Sequence, residues 1–309
     1  MRDAFVRELT RLAIADDRVV VLTADLGIGL FDELAAGAPG RFLNVGIAEQ
    51  NMVGIAAGLA LAGRKVFAYS IAPFVTSRPH DQVRIDIAYH AADVTLVGVG
   101  GGVAYGPLGP THHAIEDLAL MRSLPGMTVI APGAPCEAAA ATRALAEHTG
   151  PAYLRLAKNG EPECLPDVPF RIGAARSLRT GTDVTLCSTG AMLPSVLEAA
   201  DVLTGQGLSA GVLHVPTVKP LDVGAVSSAL RAAPLLVTVE EHTLPGGFGS
   251  AVAEAVVDAG LRGSILRLGI PDCFAPVVGS REHLLARYGL SPDGIAAAVA
   301  RRLETRIAA

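Results

Sequence analysis

Tryptophan is absent from this 309-residue chain, and 8 Phe with 5 Tyr supply all of its aromatic surface, so any flat platform for a ring must come from very few positions. Cysteine is almost as scarce. Cys136, Cys164, Cys187 and Cys273 are far apart and form no C-x-x-C pair, which points away from a zinc site and from a disulfide framework, and fits a reducing cytoplasm. Charge of one sign is lacking too: 25 Lys and Arg stand against 30 Asp and Glu, for a net charge of -5. With no basic block to neutralise a run of phosphates, nucleic acid is not an expected partner. No uninterrupted apolar run reaches the roughly 18 residues that a membrane-spanning helix needs. The opening MRDAFVRELTRLAIADD scatters charges among its apolar residues, a pattern that does not suit a secretory signal.

What is present is the composition of a folded protein, 50% hydrophobic with 34 Gly and 20 Pro. At roughly 100–200 residues per domain the length accommodates about two domains, each able to bury a core. Short Val/Ile-rich runs alternate with Ala/Leu-rich segments of helical period, the mark of βαβ units and a parallel sheet, so the fold class is α/β. Strands are expected at 18–23, 42–45, 65–69, 94–99, 128–131 and 152–156, then at 184–188, 210–214, 235–239 and 264–268. Helices are expected at 1–15, 48–62, 192–204, 223–232 and 250–259, and within 281–303. The stretch KNGEPECLPDVPFRIG has three prolines and no periodicity, and reads as a linker. The expected division is a domain at 1–157, a linker at 158–175 and a second domain at 176–309.

The glycines at 98, 100, 101 and 102 follow a strand but meet no G-x-G-x-x-G register, and the chain has no G-x-x-x-x-G-K-[ST], G-x-S-x-G or H-E-x-x-H. Three other segments carry candidate chemistry. Glu49 is the only charged residue between Asn44 and Gly63, at a strand-to-helix junction. It reads either as a first-turn acid with a solvated head or as a desolvated carboxyl able to hold and exchange a proton near neutrality. In GPLGPTHHAIEDLALMR, Thr111, His112 and His113 end a Gly/Pro-rich loop that follows a strand, where open α/β sheets bind ligands. His is suited to proton transfer there, and the alternative is that Thr111 caps a helix with two ordinary histidines behind it. Phe74, just after Pro73, is either core or a platform for a heteroaromatic ring.

In this order and at these spacings, the segments resemble the transketolase family, and more narrowly the C-terminal half of transketolase found as a separate subunit in two-chain enzymes. The resemblance covers essentially the whole chain: VVVLTADLGIG, NVGIAEQNMVGIAAGLA, DQVRIDIAY, GPTHHAIEDLALMRSLPGMTVIAP, GPAYLRLAKNG, GTDVTLCSTGAM, HVPTVKPLD and VEEHTLPGGFGSAVAE all match. It implies a thiamine-diphosphate-binding fold, with a pyrimidine-type domain on a parallel sheet followed by a smaller α/β C-terminal transketolase domain. It also implies roles. Glu49 would hydrogen-bond N1' of the thiamine pyrimidine, Phe74 would stack on that ring with Ile71 where a first aromatic usually stands, and Asp25 would lie near the cofactor at a subunit interface. His112 would face the substrate and assist proton movement, in a reaction that moves a two-carbon ketol unit from a ketose to an aldehyde.

The departures are equally specific. Leu108 stands where the family carries an acid for the acceptor's C2 hydroxyl, Gly100 where it has a phosphate-contacting His, Gly29 where it has a Ser, and Lys158 where it has a phosphate-binding Arg. Together they remove a hydroxyl partner and weaken an anion site, because a point-charged Lys replaces a bidentate Arg. The expected acceptor is therefore not an ordinary sugar phosphate. The family's GDG...N motif, which binds the diphosphate and Mg²⁺, is not in this sequence. The resemblance thus implies a separate N-terminal subunit that carries it and ligates Mg²⁺, in an α2β2 heterotetramer; the chain itself is expected to ligate no metal. The alternatives are a deoxyxylulose-phosphate-synthase-like or 2-oxo-acid-dehydrogenase β-type subunit, which would decarboxylate, and a non-catalytic subunit that keeps the fold.

Overall fold

The computed structural model describes residues 1–158, 160–166 and 169–307. Asn159, Asp167 and Val168 of the expected linker, and the last two residues of the expected second domain, lie outside the described residues. Among those described, the strands are β1 (Val19–Thr23), β2 (Phe42–Asn44), β3 (Lys65–Ile71), β4 (Val94–Val99), β5 (Thr128–Ile130), β6 (Ala152–Leu156), β7 (Arg176–Arg179), β8 (Val184–Ser188), β9 (Ala210–His214), β10 (Thr217–Lys219), β11 (Leu235–Thr243) and β12 (Ser264–Ile270). They form a seven-stranded sheet in the order β10-β5-β6-β4-β3-β1-β2 and a five-stranded sheet in the order β12-β11-β8-β9-β7.

The inner strands read as continuous apolar runs because both of their faces are covered. β1, β3, β4 and β6 are buried at every residue and pair in parallel. The helix Glu49–Leu61 returns from β2 toward β3 and buries Met52, Val53, Ala56 and Ala57, a helical spacing that lays one stripe on the sheet. None of the described helices is long and apolar enough to cross a membrane.

Two strands lie outside the sequence expectations. β7 pairs antiparallel with β9 at the edge of the second sheet, and its half-exposed RSLR has too little apolar alternation to be read as a strand. β10 comes from the second half of the chain yet pairs antiparallel with β5 of the first sheet, Thr217 opposite Ile130 and Lys219 opposite Val129. The halves therefore share a sheet as well as a core, in which Leu118, Met121 and Val129 pack with Val218, Val226 and Phe248. The glycine-rich turn before the helix Phe248–Asp258 caps that helix: Glu240 accepts from the Phe248 and Gly249 N–H groups, and a Cβ at Gly247 would fall 2.1 Å from its Oε2.

A second seam between the halves is ionic. Glu137, fully buried in the helix Pro135–Glu147, accepts from the Gly133 N–H at 2.7 Å and lies 2.7 Å from His214 Nε2 and 3.3 Å from Arg176 Nε. Ser188 Oγ meets the other ring nitrogen of His214 at 3.1 Å. Burial by itself would raise Glu137, but His214, the Gly133 N–H and Arg176 together outweigh it and hold the carboxyl below its ordinary value. A carboxyl depressed in this way contributes stability above its unfolded-state value and loses it as pH falls through the lower folded one. Glu137→Ala is expected to cost about 3–5 kcal/mol, measured by denaturant titration at neutral pH. Glu137→Gln should flatten the acid limb of the stability profile, and an unchanged limb would show that another group sets it.

Candidate active site

Each sequence-derived site residue stands at or beyond the C-terminal end of one of five neighbouring strands. Across the sheet they run Lys158 after β6, Gly100 and the His112 loop after β4, Ile71 and Phe74 at and after β3, Asp25 after β1, and Glu49 after β2. This is the edge at which open α/β sheets bind ligands.

Glu49 begins its helix with Ala48 as the capping residue and is only 5% exposed, so the solvated-head reading does not hold. Its carboxylate meets Arg78 Nη1 at 3.1 and 3.0 Å. The Arg78 guanidinium lies 3.7 Å above the centroid of the Phe74 ring, and Phe74 meets the His112 ring edge-on at 5.1 Å. His112 is half-buried, with Thr111 Oγ1 2.9 Å from its Nδ1 and the Tyr105 ring 6.2 Å away. Lys158 Nζ completes the series 4.9 Å over Tyr105. Glu49, Phe74, His112 and Lys158 are thus joined through Arg78 and Tyr105 into one continuous line of contacts.

The remaining candidates sit beside this line. Asp25 adopts a left-handed conformation with φ of 53° and is locked to Asn44, which accepts from the Asp25 N–H at 2.9 Å and donates to Oδ1 at 3.0 Å. Ile71 is buried and lines a cleft of about 340 Å³ with Arg2, residues 26–30, Tyr69, Val99 and Tyr105. Burial pushes the Tyr105 phenol up, so it stays a neutral donor at this cleft. Leu108 is 52% exposed on a short turn, and Thr111 beside it does not cap a helix, since the next one begins at Asp117. Gly100 has φ of +80°, and a Cβ there would meet the Tyr105 ring at 2.1 Å, so Tyr105 in this position excludes a side chain at 100. His113 is buried under the loop with Nε2 3.4 Å from Gly106 O, and burial lowers it.

Three residues at the site escape sequence reasoning. Arg78 stands four residues after Phe74, in the turn just past the helix Ala72–Thr76, and that spacing was the available signal. Tyr105 could have been found as a rare aromatic in a loop otherwise made of small residues. Arg2 carries no signal, because it reaches the cleft only through the packing of the helix Arg2–Ala15.

Residues 1–161 match the pyrimidine-binding domain of transketolase, and residues 173–295 match the transketolase C-terminal domain. The 6-deoxy-6-sulfo-D-fructose transketolase subunit of Clostridium sp. is 39% identical, over 96% of this chain and 92% of that protein. An apulose-4-phosphate transketolase subunit of Phocaeicola vulgatus is 36% identical, over 95% and 94%. The 1-deoxy-D-xylulose-5-phosphate synthase of Syntrophotalea carbinolica is 39% identical over 96% of this chain, which spans 47% of that enzyme. Among solved structures, a split-gene transketolase described as an inactive β4 tetramer superposes with a TM-score of 0.89 at 36% identity, covering 98% of this chain and 97% of that one. With two domain matches in order and relatives of similar length over nearly its whole extent, the chain belongs to the transketolase family.

Proposed function

We propose that this chain is the C-terminal subunit of a two-chain, thiamine-diphosphate-dependent transketolase that moves a two-carbon ketol unit from a ketose to an aldehyde. The observation that carries the reading is the line from Glu49 through Arg78 and Phe74 to His112 at the strand ends. These residues fit the pyrimidine half of the cofactor. Glu49 is a buried carboxyl that accepts from a single Arg78 nitrogen, so it has capacity for a ring nitrogen, and the half-buried Phe74 ring lies under the same Arg78 guanidinium, which a stacked pyrimidine would displace or share.

When bound, thiamine diphosphate supplies the carbanion-stabilising chemistry. Glu49 would hold a proton at N1' of the pyrimidine, Phe74 would fix the ring plane, and Ile71 and Asp25 would bound the site on either side. His112, within reach of Phe74 and held by Thr111, would move a proton at the substrate's oxygen. The diphosphate and Mg²⁺ are assigned to a separate N-terminal subunit that carries GDG...N, in an α2β2 assembly within a reducing cytoplasm. The similar split-gene chain, inactive as a tetramer of β chains, supports this dependence.

The acceptor pocket departs from a sugar-phosphate site. Leu108 offers no acceptor to a C2 hydroxyl, Tyr105 fills the space over Gly100, Lys158 lies over the Tyr105 ring and Arg2 lines the same cleft as Tyr105. The proposed acceptor is accordingly an aldehyde other than a standard sugar phosphate. Turnover of ribose 5-phosphate at a rate typical of central metabolism would contradict that. The similarity to a deoxyxylulose-phosphate synthase favours one other reading, in which pyruvate is decarboxylated, and carbon dioxide release from pyruvate by the assembled complex would decide for it.

Two outcomes are expected. Glu49→Gln should lower turnover by about 10²–10⁴-fold without preventing assembly with the partner, as read by steady-state kinetics beside size-exclusion chromatography. Unaffected turnover would instead favour a non-catalytic subunit. The chain alone should show no ketol transfer, and activity should appear on titration with the subunit carrying GDG...N; robust transfer by the isolated chain would refute the two-chain assignment.

A further inference from the structure

The loop that carries His112 is held from behind by the second half of the chain. Its base is closed by paired backbone hydrogen bonds between Gly102 and Ala114, at 3.0 and 2.8 Å. Within it the His112 and His113 N–H groups donate to Gly109 O at 3.0 and 3.2 Å. At that base Glu241, buried near the end of β11, accepts from the Val103 N–H at 2.9 Å across 138 residues of sequence. The Glu241 carboxylate is oriented by Arg281, whose Nη2 donates to Oε2 at 2.6 Å and to Ala191 O at 3.1 Å. The approach is close enough to forbid side chains. A Cβ on Gly102, where φ is +67°, would stand 2.3 Å from Glu241 Cγ, and one on Gly106 would stand 2.4 Å from Gly279 O. The side chains of Val103 and Ile115 are packed in the core of the second half, with Val239 and Leu284.

We propose that Glu241 is a positioning residue for His112: braced by Arg281, it fixes the base of the loop through the Val103 N–H and so sets where the His112 ring stands at the substrate. This deepens the functional reading above and depends on it for its kinetic consequence. A positioning error of about 1 Å costs on the order of 10²-fold in rate, which is the scale expected when the clamp is lost.

The test uses the chain with its partner subunit, thiamine diphosphate and Mg²⁺, with fructose 6-phosphate and glycolaldehyde as probes. Glu241→Ala should lower kcat by about 10²-fold and leave thiamine diphosphate affinity within about threefold, since Glu49 and Phe74 lie on other elements. In a His112→Ala background the same substitution should cost nothing further; an equal cost in both backgrounds would overturn the proposal. Gly102→Ala, which pushes the loop off Glu241 without removing a charge, should give the same signature if Glu241→Ala does not fold. Glu241→Gln keeps an oxygen for the Val103 N–H and should restore most of the rate. Independently of activity, hydrogen exchange on the chain should show residues 103–114 losing protection in Glu241→Ala or Gly102→Ala while β3 and β4 keep theirs, and unchanged protection there would sink the clamp. Should the wild-type complex turn over neither these probes nor any other ketose and aldehyde pair, the functional reading fails while the exchange measurement still decides the clamp.

Discussion

Arg155 carries its guanidinium into the interior on β6, where it is 5% exposed, and a charge so placed must be met on every side. Its Nε donates to Asp117 Oδ2 at 2.8 Å, and its Nη2 reaches Ala114 O at 2.8 Å and Glu241 O at 2.9 Å. Tyr153, two residues earlier and therefore on the same face of the strand, donates to the same Asp117 oxygen at 2.6 Å. One cation thereby joins the central sheet, the end of the His112 loop, the helix Asp117–Ser123 and β11. Removing either charge would leave the other buried without compensation, so the network holds as a unit or fails as one.

The glycines of residues 98–102 match no nucleotide-binding template, and close packing against buried side chains accounts for Gly98, Gly101 and Gly102, as the Tyr105 ring does for Gly100. A Cβ on Gly98 would stand 2.5 Å from the Tyr153 hydroxyl, one on Gly101 2.6 Å from Arg155 Nε, and one on Gly102 within reach of Glu241. Glycine is required there for close approach by buried polar groups, not for cradling a phosphate. The His112 loop therefore leaves the sheet between groups that are already fixed, and this gives His112 a defined position although it lies in irregular chain.

Much of this was legible in the sequence where local pattern sets local structure. The strands at 94–99, 152–156, 184–188 and 210–214 stand where their apolar runs end, because a strand buried on both faces has no reason to extend into polar residues. Glu49 was legible because a lone charge in an apolar helix needs an explanation, and its burial is that explanation. β10 was not legible. Three residues between Pro216 and Pro220 carry no periodicity, and their pairing with β5 depends on how the two halves dock. Arg2 and Glu241 were missed for the same physical reason: each acts on residues distant in sequence, and side-chain type alone does not reveal such contacts.

The line of contacts from Glu49 to Lys158 forms one wall of a site, and the surface beside it is apolar where solvent should discourage that. Ile28 is 94% exposed on the loop that lines the cleft, and Ile47, two residues before Glu49, is 77% exposed. Single exposed aliphatics are ordinary, but one beside the Ile71 cleft and one just before Glu49 leave apolar surface along the sheet edge that carries the candidate site. A second chain laid across them would lower the local dielectric around Glu49 and strengthen each hydrogen bond it makes. Glu49 is already buried, so in such an arrangement docking would chiefly cover its half-exposed partner Arg78. Assembly and catalytic competence would then be coupled through the environment of one side chain.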